Sequence, residues 1–192
     1  MELQKNIKCV LFDFDKTLIN LNINYADMRN DLKNYFMHKN LNSDFKPLIG
    51  EIERLSKNTS DMKKSISECY DIIDKYEVDS INSSKINEEV LNLYKNLINK
   101  NLFVVIITRN GNKVVKSFLK KFNLPFPNLI SSRDSGSKLK PNLEQFERIH
   151  NISKFNYEEY LLIGDSYHDE ELAKKIKISF IKVNEKGELE NG

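Results

Sequence analysis

Lys8-Cys9-Val10-Leu11-Phe12-Asp13-Phe14-Asp15-Lys16-Thr17-Leu18 is the stretch whose reading decides the fold. Its run up to Phe12 is rich in β-formers and has the pattern of a strand buried on both faces. Asp13 and Asp15 stand two residues apart at the carboxyl end. Period two puts such a pair on one side of an extended chain, where two carboxylates repel. A chain that needs only to fold gains nothing from this arrangement. A divalent cation explains it, because a hard cation takes oxygen ligands and relieves the repulsion. A core strand that simply meets solvent at its end explains the motif alone equally well. The rest of the chain separates the two readings.

The length of 192 residues suits one large domain with an insert or a small companion domain. An apolar share of 40% is enough for a real core. Thirty Lys and Arg against 28 Asp and Glu leave a net charge of +2, which argues against a general nucleic-acid binder or a membrane-surface protein. The lysines and asparagines are scattered and read as a solvated surface. Cys9 and Cys69 lie far apart and have no metal-site spacing, and two thiols are not a disulfide framework. Cys9, inside the buried run, is expected to act as a small hydrophobe. No apolar run approaches a membrane span. Met1-Glu2-Leu3-Gln4-Lys5 does not read as a signal peptide, since the charged first strand follows at once. The expectation is a soluble cytoplasmic protein.

Outward from Thr17, Leu18 to Asn24 alternates and suggests a turn and flap. Tyr25, Met28, Leu32, Tyr35 and Phe36 then follow helical spacing, as do Leu48, Ile49, Ile52 and Leu55 after Pro47. A third helix is expected from a cap at Ser60 through Met62, Ile66, Cys69, Tyr70 and Ile73. No strand is expected in this insert. Val78 to Ser84 looks like a linker, and a helix follows with Ile86, Val90, Leu93, Tyr94, Leu97 and Ile98. From Leu102 the pattern changes. Short apolar runs at Leu102 to Ile107, Asn128 to Ser131, Tyr160 to Ile163 and Ile178 to Val183 alternate with helices, one of them opened by Pro141. Strands alternating with helices imply an α/β fold with a doubly wound, mostly parallel, Rossmann-like sheet. The expected division is a catalytic core of residues 1–20 and 85–192, with a small all-helical cap, 21–84, inserted between its first two strands. The tail after Asn184 is expected to fray.

The chemistry-bearing residues collect at the carboxyl ends of these strands. Asp13, Asp15 and Thr17 follow the first strand and Thr108 and Arg109 the second. Lys138 and Lys140 follow the third, and Asp165, Ser166 and Asp169 the fourth. Open parallel sheets bind ligands at that edge, where strand order reverses. With these residues in place the chain resembles the haloacid dehalogenase superfamily, most of whose members are phosphatases. The DxDxT motif is Asp13-Phe14-Asp15-Lys16-Thr17, the strand ending in Thr or Ser is Ile106-Ile107-Thr108, the lysine followed by proline is Lys140-Pro141, and GDSxxD is Gly164-Asp165-Ser166-Tyr167-His168-Asp169. The helical insert resembles the cap class of phosphoglycolate phosphatases and β-phosphoglucomutases. Two departures stand out: Lys16 takes the place of the common glycine before Thr17, and Asn142-Leu143 follow Lys140-Pro141 where a second proline is common.

The resemblance implies a Mg²⁺ site made by Asp13, the Asp15 backbone carbonyl and Asp165, with Asp169 completing the shell. It implies Asp13 as nucleophile, Asp15 as general acid and base, and Thr108 and Lys140 as phosphate-binding groups. Thr17 is expected to shape the loop and Ser166 to support the site. Lys138 is the alternative to Lys140, which Pro141 favours. Arg109 is a substrate-binding candidate, with a solvated loop arginine as the plain alternative. His168 reads as a bystander, and His38 and His150 have no partner in view. Ser131 and Ser132 have no histidine at a telling spacing, so a serine hydrolase is not expected. The expected function is Mg²⁺-dependent hydrolysis of a small-molecule phosphate monoester through an aspartyl-phosphate. A phosphomutase of the β-phosphoglucomutase type is the alternative, and a non-catalytic phosphate- or partner-binding module is a third. The expected partner is a phosphorylated small molecule, with no nucleic acid and no membrane, on a monomer or small homo-oligomer.

Overall fold

In chain order the strands are β1 Cys9–Phe12, β2 Ile19–Asn20, β3 Lys85–Ile86, β4 Phe103–Ile107, β5 Leu129–Ser131, β6 Tyr160–Gly164 and β7 Ser179–Lys182. The helices are α1 Tyr25–Met37, α2 Leu48–Ser56, α3 Met62–Ser80, α4 Glu88–Asn99, α5 Asn112–Lys121, α6 Glu144–Ser153 and α7 Tyr167–Ile176. The computed structural model describes residues 4–190. Two compact units emerge, one of Met1–Leu21 with Ser83–Gly192 and one of Asn22–Asn82.

The larger unit is a doubly wound α/β fold. Its five-stranded parallel sheet has the order β5-β4-β1-β6-β7, with Phe12 opposite both Ile106 of β4 and Ile163 of β6. The chain moves outward from β1 to β4 and β5, then crosses back to β6 and β7. The switch point of the sheet therefore lies at β1. Every residue of β1 is buried, because helices cover both faces. On one face Cys9, Leu11, Val105, Ile107 and Leu162 pack with Phe146 and Ile149 of α6 and Leu172, Ala173 and Ile176 of α7. On the other, Phe12 meets Tyr94 of α4 edge-on at 5.6 Å, and Phe14 meets Phe118 of α5 at 5.3 Å. Cys9 is a buried free thiol, and burial pushes its pKa up to about 12.

In the smaller unit α1 and α2 both pack on α3. Met28, Leu32, Phe36, Phe45, Ile52, Leu55, Cys69 and Ile73 form its core, with Tyr35 packed against them. Tyr25 stays exposed at 42%.

Several local expectations need correction. The third helix is capped by Asp61, whose carboxylate accepts from Lys64 N, and not by Ser60; a carboxylate there also meets the helix dipole. The polar stretch from Val78 is not a linker: α3 runs on to Ser80, and after Ile81–Ser83 the chain forms β3. β3 pairs antiparallel with β2, Ile19 opposite Ile86, so the flap is a two-stranded ribbon. Two-residue strands are too short to leave a periodic signal. Pro141 does not open α6, which begins at Glu144; the Lys140-Pro141 bond is cis and belongs to the preceding turn. The tail is ordered through residue 190. Asn184 N donates to Glu188 O, Glu190 N donates to Lys182 O, and Gly187 turns the chain at φ 82°. The last two residues of that expectation, and the first three of the N-terminal one, lie outside the described residues. Among the described residues no helix is long and apolar enough to cross a membrane.

Candidate active site

Asp13 leaves the carboxyl end of β1 with its backbone N donating to Ile163 O at 2.9 Å, so the sheet ladder holds it one step past the strand. Across β6, Gly164 leads to Asp165 and into α7. Asp169 occupies the third position of that helix, where its carboxylate accepts from Ser166 N and Ser166 Oγ in a capping box. One residue thus both caps the helix and faces the site. Gly164 is required beside it, because a Cβ there would lie 2.6 Å from Asp169 Cγ. Carboxylate oxygens of Asp13, Asp165 and Asp169 lie within 4.8 Å of one another.

Lys140 closes the cluster from the loop after β5. It is only 3% exposed, and its Nζ donates to Asp13 Oδ1 at 2.6 Å and to Asp169 Oδ1 at 2.5 Å. Burial alone would lower the Lys140 pKa, but the two carboxylates outweigh it and hold the ammonium above its ordinary value. Burial first, and then Asp169, push the Asp13 carboxyl well above the usual range despite Lys140. Asp165 is raised by the same two causes. Lys138 is at the surface, where it pairs with Glu144 at 3.0 Å. Of the two lysines, only Lys140 joins the carboxylates.

Asp15 stands apart from the metal-competent trio. Its Oδ1 accepts from Leu21 N at 2.9 Å, which ties it to the flap. Lys16 adopts a left-handed backbone at φ 62°, the conformation for which glycine is the usual residue. Thr17 is fully buried, and its Oγ1 has no hydrogen-bond partner among the described residues. Thr108 directly follows β4, and its hydroxyl donates to Asn110 Oδ1 at 2.9 Å. Arg109 Nη1 lies 3.2 and 3.3 Å from the two ring nitrogens of His168. A cavity of about 620 Å³ opens beside Asp165, with Lys16, Asn20, Asn87 and Lys182 in its wall.

Three structural residues escaped the sequence reading. Gln145 is fully buried at the start of α6. Its Oε1 accepts from Lys140 N at 2.9 Å, and its Nε2 donates to Thr108 O at 3.1 Å and Ser131 O at 3.3 Å. One side chain therefore joins the Lys140 loop to the ends of β4 and β5. Asn87 donates from Nδ2 to Lys16 O and Thr17 O, both at 2.9 Å, and so braces the loop after β1. Arg133 is buried and donates from Nη1 to Arg109 O at 3.3 Å. A glutamine inside an amphipathic helix, an asparagine at a helix start and an arginine in a polar loop carry no sequence signal of these roles.

The haloacid dehalogenase-like hydrolase family model matches residues 10–183, from inside β1 to just past β7. Pyrophosphatase PpaX of Bacillus mycoides (strain KBAB4) is 26% identical over 167 residues, 85% of this chain and 77% of that protein. Among solved structures, CbbY from Rhodobacter sphaeroides in complex with phosphate superposes with a TM-score of 0.66 at 14% identity, over 91% of this chain and 84% of that one. A hydrolase from Pseudomonas syringae gives 0.64 at 19% identity, over 94% and 86%. At such identities these two likenesses concern the fold.

Proposed function

The chain belongs to the haloacid dehalogenase-like hydrolases, and from that premise we propose that it is a Mg²⁺-dependent phosphatase. It hydrolyses a small-molecule phosphate monoester through a covalent aspartyl-phosphate on Asp13. The observation that carries this reading is the convergence of Asp13, Asp165 and Asp169 on the buried Lys140 at the switch point of the sheet. The donor set is all oxygen and anionic, which suits a hard divalent cation. Asp13, Asp165 and Asp169, with the Asp15 backbone carbonyl, would hold Mg²⁺. Bound there, it would supply charge neutralisation and Lewis acidity toward the phosphoryl group.

The chain's own groups then divide the work. An Asp13 carboxylate oxygen attacks phosphorus as the ester P–O bond breaks, and Asp15 gives its proton to the leaving oxygen. Asp15 next takes a proton from the water that attacks the aspartyl-phosphate. Inorganic phosphate leaves and Asp13 is restored. Lys140 and Thr108 hold the phosphoryl oxygens as charge spreads over them. Asp15 suits its part because Leu21 N fixes its carboxylate on the flap, outside the carboxylate cluster. The helical unit, inserted in sequence between β2 and β3, is the cap in this reading.

The test is phosphate release from a panel of monoesters and pyrophosphate, with and without Mg²⁺, for the wild type, Asp13→Asn and Asp15→Asn. Pyrophosphate joins the panel because a relative bears that activity in its name. Expected are Mg²⁺-dependent release by the wild type, none by Asp13→Asn, and a loss of about 10²–10⁴ in kcat for Asp15→Asn. No release from any compound by a folded, Mg²⁺-binding protein refutes the phosphatase. A requirement for a bisphosphate activator with little net release identifies a mutase instead.

A further inference from the structure

The chain beyond β7 folds back on the site. Val183, the last residue of the family match, opens a short hairpin. It bridges Leu189 antiparallel, while Asn184 N donates to Glu188 O and Gly187 N to Asn184 O, both at 2.9 Å. Asn184 Oδ1 closes the turn by accepting from Lys186 N at 2.9 Å and Glu188 N at 3.0 Å. Leu189 N donates to Glu89 Oε2 at 3.2 Å, which fastens the hairpin to the first turn of α4. Val183, Asn184, Glu185, Lys186 and Glu190 make half of the wall of the cavity beside Asp165.

Asn87 stands between this hairpin and the loop after β1. It occupies the N-cap of α4, where an asparagine carboxamide ordinarily accepts from a helix N–H. Here it makes no such bond. Its Nδ2 donates instead to Lys16 O and Thr17 O, and its backbone N donates to Leu18 O at 3.2 Å. One buried residue thus holds the three consecutive carbonyls that follow Asp15. Gly187 packs against the same carboxamide. A Cβ there would lie 2.5 Å from Asn87 Cγ, and the φ of 82° suits glycine. Any larger residue in the turn would push Asn87 off the carbonyls it holds.

We propose that the hairpin of residues 183–190 is a positioning element of the active site, which sets the loop of Asp15 through Asn87. Gly187 fixes the carboxamide, and the carboxamide fixes the carbonyls of residues 16–18. These hold the segment from which Asp13 and Asp15 reach substrate. Asn87 is the positioning residue and touches no reacting group. What the loop serves rests on the phosphatase reading; the coupling from hairpin to loop does not.

The test is amide hydrogen exchange by NMR on the full chain, as a double-mutant cycle of Gly187→Ala and Asn87→Ala. The readout is the amides of Lys16, Thr17 and Leu18, which donate to Ile19 O and Phe14 O, relative to those of β4. A loss of global stability alone moves both sets together. Each single variant is expected to speed exchange of the loop amides about fivefold or more relative to β4. On the Asn87→Ala background, Gly187→Ala is expected to add less than about twofold. Glu89→Ala, which frees Leu189 N without straining Gly187, is expected to speed the same amides, and it takes the place of Gly187→Ala in the cycle if that variant does not fold. Loop exchange unchanged in the hairpin variants overturns the proposal, as does an effect of equal size with and without Asn87. For an aryl phosphate, kcat is expected to fall at least about threefold in each single variant, with KM within about twofold of wild type. An unchanged kcat in a phosphate-releasing enzyme overturns the positioning role. Exchange needs no turnover, so the coupling holds or fails separately from phosphate release, which tests the phosphatase itself.

Discussion

Replacing Gln145 by leucine keeps the side-chain volume close and removes the hub that joins three loops. In the wild type Gln145 bonds to Lys140 N, Thr108 O and Ser131 O. Ser131 O also accepts from Thr108 N at 2.9 Å, so it keeps a partner in the variant. Among the described residues Lys140 N and Thr108 O keep none. A buried polar group left unsatisfied costs about 1–3 kcal/mol, so two orphaned groups cost about 2–6 kcal/mol, with about 4 kcal/mol as the central value. For a protein of this size each kcal/mol moves the midpoint by about 2–4 °C, which gives a fall of about 8–16 °C. Urea unfolding at 25 °C and thermal unfolding followed by circular dichroism read the two numbers. The variant also loosens the backbone under both proposed phosphate-binding groups, so phosphate release is expected to fall at least about tenfold. A midpoint within about 2 °C of wild type, with unchanged release, refutes the reasoning, because Lys140 N and Thr108 O would then have found other partners.

Gly164→Ala drives a Cβ into Asp169, a short side chain already held by Lys140 and Ser166. The expected results are a stability loss of about 1–3 kcal/mol and Mg²⁺ affinity about 10–100-fold weaker, read by urea unfolding and titration calorimetry; unaltered affinity would show that Asp169 can move without consequence. The raised Asp13 pKa gives a pH prediction for the metal-free protein. An acid with a folded pKa above its unfolded value of about 4 binds more protons when folded, so stability falls as pH rises from there toward the folded value. Unfolding free energy is expected to fall with pH more steeply in wild type than in Asp13→Asn, and equal slopes would contradict the assignment.

The sheet was legible because its strands are continuous apolar runs that stop abruptly at Asp13, Thr108 and Asp165. Burial on both faces writes such runs into the sequence whatever the tertiary context. The two-residue strands β2 and β3 left no such trace, since their pairing depends on a partner 67 residues away, Ile19 to Ile86. Lys140 was separable from Lys138 only through its neighbour Pro141, and the structure gives the reason in burial: one lysine lies inside among carboxylates and the other is solvated with Glu144. Gln145 and Asn87 were illegible because their bonds go to backbone atoms. A backbone carbonyl has no sequence identity, so nothing in the chain marks it as awaiting a donor. Lys16 is the instructive case between these. Its side chain hid the left-handed turn that a glycine there would have announced.

The electrostatics of the cluster explain why these four residues belong together. Lys140 can donate to Asp13 and Asp169 at once, and does so at 2.6 and 2.5 Å. An Asp165 carboxylate oxygen lies within 4.8 Å of those of Asp13 and Asp169, and the carboxyls of Asp13 and Asp165 are both raised. One ammonium among three carboxylates leaves charge that must be met by protons or by a cation. Protons meet it by raising pKa values, which for Asp13 would blunt the nucleophile proposed here. A divalent cation meets it while leaving Asp13 ionised, and the oxygen-only donor set selects a hard one. In this reading Lys140 is shared between holding the cluster before substrate arrives and gripping the phosphoryl group afterwards. Lys140→Met would therefore separate the two roles poorly. Asp13→Asn separates them well, because it removes the nucleophile and keeps an oxygen for Lys140 to bond.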